Sequence, residues 1–211
     1  MDAHVIQDGS ALKSVRAAIA MLRRAHHYRD AFTHQHQDRA AQIAVEIGRV
    51  MGLPTARLEV LHLAASVHDI GKVGIPPEIV AKPGQLTDAE YAIVKTHSGI
   101  GYDILRQLEV SLPVADIVHQ HHERLDGTGY PRGLRGNEIL LEARILAVAD
   151  VFDAMTSYRP YREALAVDIV IGDMHLMAGT LLDKQAIEAC ERLVLTGSIL
   201  PTEAPIARQA Y

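Results

Sequence analysis

The stretch Ser66-Val67-His68-Asp69-Ile70-Gly71-Lys72-Val73-Gly74-Ile75-Pro76 decides how this 211-residue chain is interpreted. It places a histidine beside an aspartate where an apolar helix is expected to end, and a glycine and a lysine follow. A neutral imidazole and a carboxylate are both ligands of divalent metals. A His-Asp pair alone is more often structural than functional, so its meaning depends on the residues that accompany it.

The composition excludes several classes of protein. Hydrophobic residues make up 48% of the chain, which is enough for one sizeable core, and the length suits one domain, alone or with an extension. The formal net charge of −5 offers no basic field for a long polyanion, so nucleic-acid polymers are not expected partners. Cys190 is the only cysteine, which excludes internal disulfides and fits a reducing compartment. Because neither a membrane span nor a signal-peptide pattern is visible, a cytoplasmic location is predicted.

Helical periodicity without alternating strands predicts an all-α fold. The predicted helices cover about 11–28, 30–51, 55–68, 87–108 with a bend at 98–99, 113–121, 139–156, 166–178 and 184–195. Loops rich in glycine and proline separate them at 71–84 and 124–136, and the second loop has room for a small hairpin. The apolar stripe of the first helix suits either the core or a seam for a partner helix or upstream domain; we favour the seam.

Metal-competent side chains recur on apolar helix faces or at their ends. They are His36, His68, Asp69, His97, His121, His122 and Asp150. Burying so many ionisable groups without partners would cost several kcal/mol each. A cation resolves this, because it satisfies carboxylates and imidazole lone pairs together.

Seven ligands are too many for one ion with an open position, and they suit two ions. We expect Asp69 to bridge them. One ion would then take His36, His68, Asp69 and Asp150, and the other would take His97, His121, His122 and Asp69. Nitrogen and oxygen ligands without thiolate suit Fe, Mn, Ni or Zn.

These residues carry a family resemblance. His68-Asp69-Ile70-Gly71-Lys72 with Gly129-Tyr130-Pro131 resembles the HD-GYP domain, a subgroup of the HD phosphohydrolase superfamily. The similarity continues through Thr33-x-x-His36-x-x-Arg39, residues 121–136, residues 143–155 and Arg159-Pro160-Tyr161-Arg162, and so covers about 30–195. The resemblance implies an all-α HD-domain bundle and hydrolysis of the bacterial second messenger cyclic di-GMP to pGpG or GMP. It also implies a bi- or trinuclear metal site, often of iron or manganese.

We accordingly expect a connector or signalling helix at 1–29, the HD-GYP phosphodiesterase domain at 30–195 and a loose tail at 196–211. Some family members carry a glutamate one helical turn before the first histidine, as a ligand for a third metal. Phe32 stands there in this chain, so two divalent ions per chain are expected, with iron or manganese favoured. An upstream sensor or receiver domain, a partner protein and a homodimer are the further partners considered.

The catalytic residues expected from this pattern are Asp69 and Lys72, with Lys72 meeting the phosphate. Arg159 and Arg162 are expected to bind the second phosphate through their guanidinium groups. Alternatively, Arg159 pairs with Asp153. Two alternatives to a cyclic di-GMP phosphodiesterase remain. One is a catalytically weak sensor or adaptor that binds cyclic dinucleotides, and the other is an HD phosphohydrolase acting on another nucleotide.

The loop around Gly129-Tyr130-Pro131 has no single interpretation. Tyr130 either stacks on a guanine of the substrate or packs the loop down. Glu123, adjacent to two expected ligands, is expected to orient an imidazole.

Overall fold

The computed structural model describes residues 9–29, 31–108, 112–157 and 163–199. These ranges contain the helices α1 (Gly9–Arg29), α2 (Ala31–Val50), α3 (Thr55–Ala65), α4 (Pro77–Val80), α5 (Asp88–Lys95), α6 (His97–Leu105), α7 (Val114–Gln120), α8 (Leu141–Thr156), α9 (Val167–Met177) and α10 (Lys184–Leu195). The predicted all-α fold is confirmed. The suggested hairpin is reduced, in the described part of the chain, to one antiparallel bridge between Asp126 and Arg135. No helix in these ranges is both long and apolar enough to cross a membrane.

Helix α8 lies at the centre of the hydrophobic core. α2, α3, α7, α9 and α10 all pack against it. Ile145, Leu146 and Phe152 of α8 are completely buried. Full burial of each such side chain stabilises the fold by roughly 1.5–3 kcal/mol, so α8 is a rigid base for the polar residues that it carries.

The stripe of α1 packs on the domain's own core. Val15 and Ile19 are each only 2% exposed. Ion pairs of Arg16 with Glu59 and of Arg23 with Asp38 hold the same helix against α3 and α2. Burial in the core is therefore observed for Val15 and Ile19, and a seam for a partner helix or upstream domain, which we favoured, stays a prediction. A signalling role for residues 1–29 stays a prediction.

Two helices end earlier than their periodicity predicts. α3 ends at Ala65, three residues before His68. The helix that begins after Thr87, whose side chain forms a capping box with Glu90, is interrupted at Thr96 rather than at 98–99, which separates α5 from α6. Candidate ligands therefore lie just beyond α3 and α5, as they do beyond α7, and His97 is also the first residue of α6.

Candidate metal centre

Three histidines of the centre share one local geometry. His68, His97 and His121 each use Nδ1 to contact the backbone carbonyl three residues earlier. The acceptors are Ala65, Val94 and Val118, at 2.8, 2.7 and 2.6 Å respectively. Because a carbonyl oxygen can only accept, Nδ1 carries the proton and Nε2 carries a lone pair. The helix ends therefore fix the tautomer and leave each Nε2 free for a cation.

One group of candidate ligands forms around α2 and α8. The ligand atoms of His36, His68 and Asp69 lie within 4.8 Å of one another. Asp150 of α8 joins them, since its Oδ1 lies 2.9 Å from Nε2 of His36 and 3.8 Å from Nε2 of His68. These are the residues that the sequence predicts for one ion.

A second group forms at the ends of α5 and α7. The ligand atoms of His97, His121 and His122 also lie within 4.8 Å of one another. Nε2 of His97 and Nε2 of His121 face each other at 3.4 Å. Both nitrogens carry lone pairs, because both Nδ1 atoms hold their protons. No hydrogen bond can join them in that state, whereas a shared cation would attract both, so the donor set fits a metal.

Asp69 lies between the two groups. Its Oδ2 lies 3.6 Å from Nε2 of His68, and its Oδ1 lies 3.5 Å from Nε2 of His97. Nζ of Lys72 donates to Oδ2 at 2.7 Å. Burial alone would raise the pKa of Asp69, but the Lys72 ammonium and the surrounding histidines hold it well below its usual range. The carboxylate is therefore ionised and offers one oxygen to each group.

The two groups differ in their electrostatics. Burial lowers the pKa of His97, His121 and His122, the last to about 3. These imidazoles are therefore neutral near pH 7 and keep their lone pairs. His36 behaves in the opposite way: burial opposes its charged form, but hydrogen bonds with Asp150 and Asp153 raise its pKa to about 9. A metal that binds Nε2 of His36 would displace that proton.

Behind His36 lies a support that the sequence did not assign. Nδ1 of His36 donates to Asp153 at 2.6 Å, and Arg39 donates from Nε at 2.7 Å and Nη2 at 3.2 Å to the two oxygens of the same carboxylate. Asp153 thus pairs with Arg39, and the suggested partner Arg159 lies, with Arg162, outside the described residues. The spacing of Arg39, three residues after His36 on one helix face, was the available signal.

Replacing Asp153 with Asn should lower metal affinity about 10- to 100-fold, the usual effect of removing a group that orients a metal-binding histidine. The amide keeps the shape but loses the charge that holds Arg39 and His36. Metal retained after dialysis against a graded chelator series measures the effect. The exposed Asp168→Asn on α9 serves as the matched control. Equal retention in both variants would show that Asp153 does not support the centre.

The glycine-rich loop is tied to the centre by Glu123. Its carboxylate accepts the backbone N–H of Arg132 at 2.7 Å and of Leu134 at 3.0 Å. Glu123 therefore anchors the loop rather than orienting an imidazole, which corrects the expectation from its position beside His121 and His122.

Gly129 and Tyr130 place this loop directly on a candidate ligand. A Cβ at Gly129 would overlap the backbone nitrogen of Arg124 and lie 2.5 Å from the carbonyl oxygen of His122, so glycine is required by the close approach. The Tyr130 ring stacks on His122 with centroids 4.7 Å apart and planes 29° apart. Packing is thus observed for Tyr130, and its contact with a guanine stays a prediction.

The structure brings all seven predicted metal ligands into one centre, with Lys72 at its edge. Fold and site together define an all-α domain with a candidate divalent-metal centre. The sequence pattern of the HD domain matches residues 18–186. The chain belongs to the HD domain family, as the sequence predicts.

Relatives of known description agree with this assignment. The chain is 41% identical over 182 residues to the cyclic di-GMP phosphodiesterase response regulator RpfG of Xanthomonas campestris pv. campestris, covering 84% of this chain and 47% of that protein. It is 40% identical over 162 residues to 3'3'-cGAMP-specific phosphodiesterase 1 of Vibrio cholerae, covering 76% and 38% respectively. The chain thus spans less than half the length of either relative.

A solved structure shows the same fold. Bd1817, an HDG"Y"P protein from Bdellovibrio bacteriovorus, superimposes with a TM-score of 0.65 at 19% sequence identity. The match covers 77% of this chain and 52% of that one. At this level of identity the likeness concerns the helical architecture alone.

Proposed function

We propose that the chain is a metal-dependent phosphodiesterase that hydrolyses cyclic di-GMP to pGpG or GMP at a binuclear centre. The observation that carries the proposal is the position of Asp69, whose two carboxylate oxygens face two separate groups of histidines. A single ion would not need both groups. A pair of ions sharing a carboxylate is the arrangement of two-metal hydrolases.

The substrate class rests on the relatives. One is named for cyclic di-GMP and another for 3'3'-cGAMP, so both names specify a cyclic dinucleotide and a phosphodiesterase reaction. Cyclic di-GMP is the substrate we propose, and 3'3'-cGAMP is the second candidate because of the Vibrio relative. We also propose a regulatory domain outside the matched region, a homodimer and a cytoplasmic location.

The residues of the chain have distinct roles in this reaction. Two divalent ions, with iron or manganese favoured, supply Lewis acidity and an activated water when bound. Asp69 and Asp150 bring negative charge to them, and the imidazoles complete the donor set. Lys72 is only half-buried beside Asp69, so its ammonium can also meet an anionic phosphate oxygen at the edge of the centre.

The proposal is tested by loading the protein with metal in the absence of oxygen. Elemental analysis then counts the bound ions, and product analysis follows the hydrolysis of cyclic di-GMP. We expect about two metal ions per chain and conversion of cyclic di-GMP into pGpG or GMP. A fully loaded preparation with one ion would contradict the binuclear centre. Tight binding of cyclic di-GMP without turnover would favour the sensor or adaptor alternative, and faster turnover of 3'3'-cGAMP would reassign the substrate.

A further inference from the structure

Lys95, at the end of α5, lies between two aromatic rings. Its Nζ lies 4.6 Å from the centroid of Tyr91, one helical turn earlier, and 5.7 Å from the centroid of Tyr130 in the glycine-rich loop. Both distances are within the range of a cation–π interaction. Two elements that are distant in the sequence therefore meet at this ammonium.

This ammonium lies close to the metal centre. Tyr130, which it contacts, stacks on His122, and its ring centroid lies 6.4 Å from that of His97. His97 itself follows Lys95 by two residues. A series of contacts thus leads from the candidate ligands through Tyr130 to Lys95 and ends at Tyr91, which is 46% exposed.

Lys95 differs from the other lysines on this side of the domain. Lys72 is paired with Asp69, and Lys82 is paired with Glu90. Among the described residues, Lys95 forms no ion pair and is held by ring faces. A ring face attracts the charge but accepts none of the three N–H groups in a conventional hydrogen bond, so these donors remain available to a ligand.

We propose that Lys95, held by Tyr91 and Tyr130, forms a guanine-binding subsite beside the metal centre and determines base specificity. This inference rests on the proposed function. Guanine presents two acceptors, O6 and N7, on one edge, and a lysine ammonium can donate to them. Adenine presents N6 as a donor at the position of O6, so an ammonium there faces another donor. The exposed ring of Tyr91 adds a surface on which a purine can stack.

Lys95→Met and Lys95→Arg test this subsite in the full chain. Lys95→Met should lower kcat/KM for cyclic di-GMP about 10- to 100-fold, mainly through KM, because a hydrogen bond from a charged donor is lost. Lys95→Arg should stay within about threefold of the wild type, because guanidinium also donates to O6 and N7. Hydrolysis of bis(p-nitrophenyl) phosphate, which has no purine, should change less than about twofold in both variants.

Two further measurements separate guanine recognition from phosphate recognition and from folding. The inhibition constant of cyclic di-AMP, as a competitor of bis(p-nitrophenyl) phosphate, should be no higher in Lys95→Met than in the wild type, because the ammonium gives adenine no favourable contact at N6. Lys184→Met on α10, which contributes no candidate ligand, is the matched control and should behave as the wild type. Equal losses for cyclic di-GMP, cyclic di-AMP and the chromogenic diester would overturn the subsite, as would no loss at all. A wild type that fails to hydrolyse cyclic di-GMP would instead refute the proposed function, and the subsite with it.

Discussion

Asp69→Asn is expected to abolish metal retention and to lower phosphodiester hydrolysis by about 10³-fold or more. The carboxylate is buried between the two histidine groups, and each of its oxygens faces a different group. An amide keeps the size of the side chain but has only one acceptor oxygen and no charge. Neither ion would then keep its shared ligand, and Lys72 would lose the partner that it contacts at 2.7 Å.

Elemental analysis and turnover of cyclic di-GMP, measured on the same preparation, check this expectation. Asp103→Asn is the matched control, because Asp103 is 71% exposed in its side chain and pairs only weakly with Arg106 at the surface. Thermal unfolding of the chelated proteins shows whether the variant is folded. Wild-type turnover in a folded Asp69→Asn protein would contradict the bridging role of this carboxylate.

Gly71→Ala is expected to destabilise the fold by about 3 kcal/mol, since an added methyl group in a close-packed interior forces the backbone to move. Gly71 lies against α6. A Cβ at this position would overlap the carbonyl oxygen of His97 and lie 2.6 Å from the backbone nitrogen of Gly101. These are backbone atoms, so no side-chain rotation can relieve the overlap. Displacement of α6 would also move His97 away from the centre, and metal affinity should fall together with stability.

Urea unfolding of the metal-free protein measures the first effect, and metal titration measures the second. Gly99→Ala is a suitable control, because Gly99 lies in α6, the helix that Gly71 contacts, and a Cβ at Gly99 meets no atom within 4 Å. That variant should be neutral or stabilised by up to about 1 kcal/mol, the helix propensity of alanine over glycine. Two variants with equal stability would rule out the close contact between Gly71 and α6.

The sequence predicts elements well where the apolar pattern and the helix boundary coincide. Helix α10 occupies 184–195 as predicted, since Asp183 accepts hydrogen bonds from the first backbone N–H groups and glycine follows the helix. His68 shows the opposite case. It is buried at helical spacing from Ala64, and periodicity continues past the true end of α3 at Ala65. Burial alone does not distinguish the last helical turn from a tight turn that follows it.

The metal ligands could be predicted because histidine and aspartate on apolar surfaces are chemically unusual. The contacts that support them could not, because the sequence shows neither which distant side chains meet nor which backbone N–H groups a carboxylate binds. Asp153 meets Arg39 across 114 residues of sequence. Glu123 accepts hydrogen bonds from the backbone N–H groups of Arg132 and Leu134. Every residue except proline has such a group, so the sequence does not indicate which ones Glu123 binds. The contacts of Lys95 could not be predicted either, since only the folded loop brings Tyr130 to it.

The helix ends at the centre also impose an order on its assembly. The C-terminal ends of α5 and α7 and the N-terminal end of α6, which begins at His97, hold imidazole lone pairs there beside the ionised carboxylates of Asp69 and Asp150. Carboxylate oxygens and imidazole lone pairs bind cations but give an anionic phosphate no partner. The metal-free domain should therefore bind its substrate poorly, and metals should load before the nucleotide. Availability of metal in the cell would then limit how much of this protein can respond to its substrate.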